Sequence, residues 1–136
     1  MKILVTGNAG MIGQVVEKVL REDGHEVIGF DIKNGQDILN PKQVQDYSQE
    51  CDAVVHLAAL LGHPEENAND IMAVNLLGTW HILTAASEAE IKRIVFFSSV
   101  DALGVFKGER QPDYLPLDDA HPCYPSTPYA IAVNWN

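Results

Sequence analysis

Three shortages set the first limits on this chain. Basic residues are few: nine Lys and Arg stand against nineteen Asp and Glu, a formal net charge of −10 with a pI near 4.7. Such a balance repels phosphate backbones and argues against a nucleic-acid partner. A small anionic ligand stays open, because a helix N-terminus binds phosphate without any basic side chain. Cysteine is scarce too. Cys51 and Cys123 lie far apart and outside any CxxC or zinc-type spacing, which reads as reduced thiols of a cytoplasmic protein rather than a disulfide framework. Long apolar runs are missing as well. No stretch approaches the roughly 18 apolar residues of a membrane span, and Ile3-Leu4-Val5 is too short for a signal peptide. His25, His63, His81 and His121 show no metal-ligand spacing, so no metal is expected.

What is present is ordinary for a globular domain: 136 residues, 46% hydrophobic and 21% charged, one domain's worth over residues 1–136. Ile3 to Thr6 reads as a buried strand ended by glycine. Ile12, Val15, Val16, Val19 and Leu20 then fall on one helical face, closed by Gly24. "EVIGFD" (26–31) reads as a second strand and "GQDIL" (35–39) as a short third. Pro41 opens a helix to about Gln49. "CDAVVHLAA" (51–59) is the fourth strand. A helix follows over 65–86, with Ile71, Val74, Leu77 and Leu83 expected inside, and "KRIVFFSS" (92–99) is the fifth strand. Residues 101–125, rich in Pro, Asp and Gly, read as a long loop, and a last helix begins near Thr127. Alternating strands and helices predict βαβ units, hence a parallel Rossmann-like α/β sheet of five strands in the order 3-2-1-4-5 with helices on both faces.

"TGNAGMIG" sets Gly7, Gly10 and Gly13 between the first strand and its helix. Gly7 permits the tight turn, Gly10 lets the backbone approach a pyrophosphate, and Gly13 lets helix and strand pack closely. The N–H groups at the helix start, with its dipole, then hold the phosphates. A Walker A loop is excluded, since no Gly-Lys-Ser/Thr follows. Asp31 ends the second strand about twenty residues on, where a carboxylate accepts from an adenosine ribose and repels a 2′-phosphate. That favours NAD over NADP, although Lys33 nearby keeps NADP open.

In order along the chain, these motifs resemble the extended short-chain dehydrogenase/reductases, the NAD-dependent epimerase/dehydratase group. "TGNAGMIG" is similar to the family's TGxxGxxG, with Met11 and Ile12 inside it. Asp37-Ile38 resembles the pair that cradles the adenine. "HLAA", His56 to Ala59, resembles the cofactor-lining segment, with Leu57, Ala58 and Ala59 against the dinucleotide. Asn75 in "NLLGT" resembles the family's structural asparagine. "SSVDALG" places Ser99 as the catalytic hydroxyl, and "PLDDAHPCYPSTPY" leads to Tyr129 as the catalytic tyrosine. The resemblance implies hydride transfer at a nicotinamide on a sugar or nucleotide-sugar, and helices that in this family often build a homodimer. His56, on an apolar strand, reads as a packed histidine.

One position departs. The family's tyrosine is followed by lysine in YxxxK, which sets an ammonium on the same helical face. A free tyrosine has a pKa near 10 and is a poor base at neutral pH; the cation makes it usable. Here Tyr129 is followed at that spacing by Val133, and Asn134 is out of register. The motifs therefore imply an altered or truncated version of a longer enzyme. The rival expectations are a short module that binds a dinucleotide without turning it over, and a fragment that works only inside an oligomer. All predict weak or absent catalysis from this chain alone.

Overall fold

The computed structural model of the protein describes residues 1–106 and 110–134. Four parallel strands run β2-β1-β3-β4: β1 Lys2–Thr6, β2 Glu26–Phe30, β3 Ala53–His56 and β4 Ile94–Phe96. The register places Thr6 opposite both Phe30 and His56, and His56 opposite Phe96. The carboxyl ends of all four strands therefore lie along one edge.

Alternate residues of each strand feed two cores. Leu4, Phe30 and Val54 face helix α2 (Pro41–Ser48) and helix α4 (Gly78–Glu88), packing on Val44, Ile82, Ala85 and Ala86. Ile3, Val5, Val27 and Ala53 face helix α1 (Met11–Glu22) through Val16 and Leu20. Full burial of a side chain such as Leu4 or Val5 contributes roughly 1.5–3 kcal/mol each. Only part of the α1 stripe is used. Ile12, Val15 and Val19 remain about half exposed, because among the described residues no second helix covers the β3–β4 half of that face.

The expected third strand is not formed, so the sheet has four strands rather than five in the order 3-2-1-4-5. The order of the remaining four agrees. Local bonds take the amides of 35–39 that a ladder would use. Gln36 N donates to Asp31 O, Leu39 N donates to Asp37 Oδ1, and Asp37 N donates to Gln43 Oε1. Side chains that bond their own backbone in this way compete directly with sheet pairing. Ile38 instead plugs the core beneath Gly78, while its carbonyl meets His81 Nδ1 at 2.9 Å.

The expected helix over 65–86 is one continuous rod in three parts: α3 (Ala68–Met72), a π-helical turn (Ala73–Leu77) and α4. Its buried residues are Ile71, Asn75, Gly78, Ile82, Ala85 and Ala86. Leu77 and Leu83, expected inside, face out with Trp80: the buried stripe through Ile71, Asn75, Gly78, Ile82 and Ala85 keeps ordinary helical spacing, and neither leucine falls on it. Caps mark the helix starts as the sequence suggests. Asn40 Oδ1 accepts from Gln43 N ahead of Pro41, and Thr127 Oγ1 accepts from Ala130 N ahead of α5 (Pro128–Val133). No helix among the described residues is long and apolar enough to cross a membrane.

Candidate functional site

The glycine turn after β1, Asp31 after β2, the Leu57–Ala59 segment after β3 and Ser98–Ser99 after β4 all lie at the carboxyl edge of the sheet. The turn after β1 folds tightly: Gly7 N donates to Phe30 O at 2.8 Å and Gly10 N to Gly7 O at 3.0 Å. Gly7 sits at φ 71°, and a Cβ there would meet Ala58 N at 2.8 Å. A Cβ on Gly13 would lie 2.1 Å from Gly7 O, so only glycine lets α1 stand this close to the turn. Gly10 is less constrained from within, its nearest protein atom being Gly7 O at 3.2 Å from a Cβ.

The start of α1 suits an anionic group. Gly10 caps it without a side chain, and its first turn holds no acidic residue. The first backbone bond into the helix is Gln14 N to Gly10 O, so the N–H groups of Met11, Ile12 and Gly13 have no partner among the described residues. Unsatisfied N–H groups and a positive dipole end are what a pyrophosphate requires.

Asp31 is buried, with Oδ2 accepting from Ala9 N and Oδ1 from Lys33 N. It braces the glycine turn itself, while each oxygen keeps a lone pair for a hydroxyl donor. Lys33 Nζ is turned to Ala9 O at 3.1 Å. Asp37 lies farther along, capping 37–39, and the Ile38 side chain is directed into the core.

On the other side of the turn, the segment after β3 carries Leu57, Ala58 and Ala59. Asn75, in the π turn, holds this segment in place: its Oδ1 accepts from Leu60 N and its Nδ2 donates to Leu60 O. His56 is 5% exposed, and burial alone depresses its pKa to about 4, so the ring is neutral at ordinary pH.

Ser99 caps the 3₁₀ turn Val100–Leu103, its Oγ accepting from Asp101 N at 3.2 Å. Neighbouring Ser98 donates to Val133 O at 2.8 Å, which ties β4 to α5. Tyr129 is half-buried on α5 and packs on Gly62, where a Cβ would lie 3.1 Å from the tyrosine Cβ. The Glu66 carboxylate accepts from Gly62 N and His63 N and so shapes that loop. Together they enclose a cavity of about 290 Å³ lined by Leu61, Gly62, His63, Ile71, Pro128 and Tyr129. Val133, one turn from Tyr129, is 4% exposed and carries no charge toward it.

Two features had no sequence signal of their own. Asn8 Nδ2 donates to Glu17 Oε2, and Glu17 Oε1 accepts from Arg21, whose guanidinium also donates to Val27 O. This relay pins the turn to β2, and the Asn8 hydrogen bond, with Arg21 second, holds the Glu17 carboxyl below its usual range. Gly29 makes room for it, since a Cβ there would meet the Asn8 amide at 2.3 Å. The second feature is a buried hydroxyl–imidazole chain through Thr6, His56 and Thr79.

Residues 3–134 match the NAD dependent epimerase/dehydratase family. The chain belongs to that family. Among the family's characterised proteins, it is 34% identical to GDP-6-deoxy-D-talose 4-dehydrogenase of Aggregatibacter actinomycetemcomitans, over 77% of this chain and 37% of that protein. Among solved structures, a short-chain dehydrogenase/reductase superfamily protein from Agrobacterium tumefaciens with bound NAD superposes with a TM-score of 0.84 at 33% identity, over 98% of this chain and 42% of that one. UDP-glucose-4-epimerase from Stenotrophomonas maltophila, with bound NAD and formylated UDP-arabinopyranose, gives 0.83 at 26%, over 98% and 45%. The chain thus spans less than half the length of each of these relatives. Among the described residues no group of three or more His, Cys, Asp or Glu is placed to hold a metal.

Proposed function

We propose that this chain is the NAD-binding domain of an oxidoreductase, epimerase or dehydratase acting on a sugar or nucleotide-sugar. The observation that carries the reading is the start of α1. It offers three N–H groups without a partner among the described residues, beside a glycine turn braced by Asp31 at the carboxyl edge of a parallel sheet. The residues in contact with the dinucleotide are Gly7, Gly10, Met11, Ile12 and Gly13 at the pyrophosphate, Asp31 at the adenosine ribose, and Asp37 with the backbone of Ile38 near the adenine, the Ile38 side chain being in the core. Leu57, Ala58, Ala59 and the Leu60 peptide held by Asn75 line the other side. Asp31 favours NAD over NADP, because its charge opposes a 2′-phosphate.

NAD, when bound, supplies the hydride acceptor. Tyr129 is the acid/base group for the substrate hydroxyl, and Ser99 donates a hydrogen bond to the same oxygen. The cavity beside Tyr129, open on one side, gives the substrate carbon its approach. A second reading follows from Val133: without the cation that tunes the phenol, the domain binds NAD and turns it over poorly or not at all. Leu77, Trp80 and Leu83, spaced three residues apart along the rod, are exposed and suit a homodimer face, and we place the protein in the cytoplasm.

Calorimetric titration with NAD, followed by addition of a panel of UDP-, GDP- and dTDP-sugars, tests both readings. Saturable NAD binding with turnover of a sugar or formation of reduced nicotinamide supports an enzyme, and saturable binding with neither supports the non-catalytic module. No heat of binding with NAD would remove the proposal.

A further inference from the structure

The protons of the buried chain can be assigned from its partners. Thr6 Oγ1 receives Ala58 N at 3.2 Å and a share of Leu57 N at 3.1 Å, whose N–H also reaches Thr6 O. Both lone pairs of the hydroxyl are then engaged, so its one proton goes to His56 Nδ1, 2.7 Å away. An Nδ1 that accepts leaves the ring proton on Nε2, which faces Thr79 Oγ1 at 3.1 Å. Thr79 passes its own proton to Asn75 O at 2.6 Å. Donors and acceptors match along the whole path only for one tautomer.

The location of this chain gives it a purpose beyond packing. Thr6 precedes Gly7, and His56 precedes the Leu57–Leu60 segment whose peptide lies under Gly7. Thr79 follows Asn75 by one turn on the π-helical rod, and Asn75 clamps Leu60. The imidazole therefore joins both walls of the proposed dinucleotide seat to the helix behind them. Phe96 packs edge-on to the ring, centroids 5.7 Å apart, and fixes its plane.

We propose that His56, as the neutral Nε2–H tautomer held between Thr6 and Thr79, is a positioning residue that locks the 57–60 segment against the glycine turn for cofactor binding. The inference rests on the NAD-binding reading, yet its geometry can be tested apart from it. Thr6 is wholly buried, so no water replaces a lost partner there.

Long-range ¹H–¹⁵N correlation spectra of the wild-type imidazoles at neutral pH are expected to show His56 with Nδ1 bare and Nε2 protonated. The reverse tautomer or an imidazolium would overturn the proposal. His56→Phe keeps a ring of similar size and removes the relay. It is expected to speed amide exchange at Leu57, Ala58 and Leu60 by about tenfold or more and to weaken NAD binding by at least about tenfold, whereas His56→Gln, which can still accept and donate, restores both in part. Wild-type NAD binding with equal affinity in His56→Phe would sink the inference and leave the NAD reading intact. Absence of binding in the wild type, with the predicted tautomer and exchange, would overturn the NAD reading and the cofactor-binding purpose with it, leaving only the lock on the 57–60 segment. Should His56→Phe fail to fold, the tautomer spectrum and His56→Gln still decide the matter.

Discussion

The Asn75 side chain grips the Leu60 peptide on both of its polar atoms, accepting from Leu60 N at 2.8 Å and donating to Leu60 O at 2.9 Å. The two residues are fifteen apart in sequence, and the π turn at Ala73–Leu77 holds Asn75 in the buried stripe of the rod.

Removing that grip strands a donor and an acceptor that are partly buried. Asn75→Ala is expected to lower stability by about 2–4 kcal/mol, read from urea midpoints, because each orphaned group costs about 1–3 kcal/mol. Asn75→Asp keeps the acceptor but sets a buried carboxylate oxygen against the Leu60 carbonyl, so it is expected to cost at least as much at neutral pH. A loss below about 0.5 kcal/mol for Asn75→Ala would mean that water replaces the clamp.

Stability is expected to depend on pH through His56. Its folded pKa of about 4 lies below the ordinary value of 6.5, with desolvation as the cause. Between those values the unfolded chain binds a proton that the folded chain refuses, so stability is full above about 6.5 and falls as pH drops toward 4. The loss from this group alone is on the order of 3 kcal/mol. Urea midpoints from neutral pH down to 4 check the sign, and His56→Gln is expected to flatten the slope in that window. An unchanged slope in the variant would show that other groups carry the acid dependence.

Two glycine substitutions separate folding from binding. Gly13→Ala drives a methyl to 2.1 Å from Gly7 O, a backbone atom with no freedom to yield, and is expected to cost more than about 3 kcal/mol. Gly10→Ala meets protein only at 3.2 Å, so stability is expected to change by no more than about 1 kcal/mol. The added methyl crowds the phosphate approach, and NAD affinity is expected to fall all the same. Equal effects of the two changes on unfolding would contradict this division.

Most of this architecture was legible because it is periodic or punctuated. Residues 12–20 advertise an amphipathic helix, Pro41 and Pro128 mark helix starts, and Gly7, Gly10 and Gly13 sit where a strand must turn into a helix. The expected third strand rests on Ile38 and Leu39 alone, in a segment whose Gly35 and Asp37 disfavour strands, and Asp37 and Gln43 claim its amides. The outward turn of Leu77 and Leu83 was legible and missed: neither falls on the i, i+4, i+7, i+11 stripe of Ile71, Asn75, Gly78 and Ile82, and apolar character alone suggested burial. Thr6, His56 and Thr79 each have an ordinary local reading, and their chain exists only once β1, β3 and the π-helical rod converge.

The Asn8–Glu17–Arg21 relay yields a further expectation. Asn8→Asp would face the Glu17 carboxylate with a second negative charge and lose the donor, lowering stability by about 1–2 kcal/mol at neutral pH. Protonating the pair should recover part of that loss, so the gap between variant and wild type is expected to narrow at pH below about 4.5. Parallel urea curves at the two pH values check it, and a constant gap would place the effect elsewhere.

The most direct test of the central claim is thermal unfolding of this chain with NAD, with NADP and with neither. A ligand bound only by the folded state at about 100 times its dissociation constant adds roughly 2.7 kcal/mol. The account predicts a clear upward shift with NAD and a smaller one with NADP, as the N–H groups at the start of α1 and the charge of Asp31 require. Identical unfolding with and without NAD would contradict it.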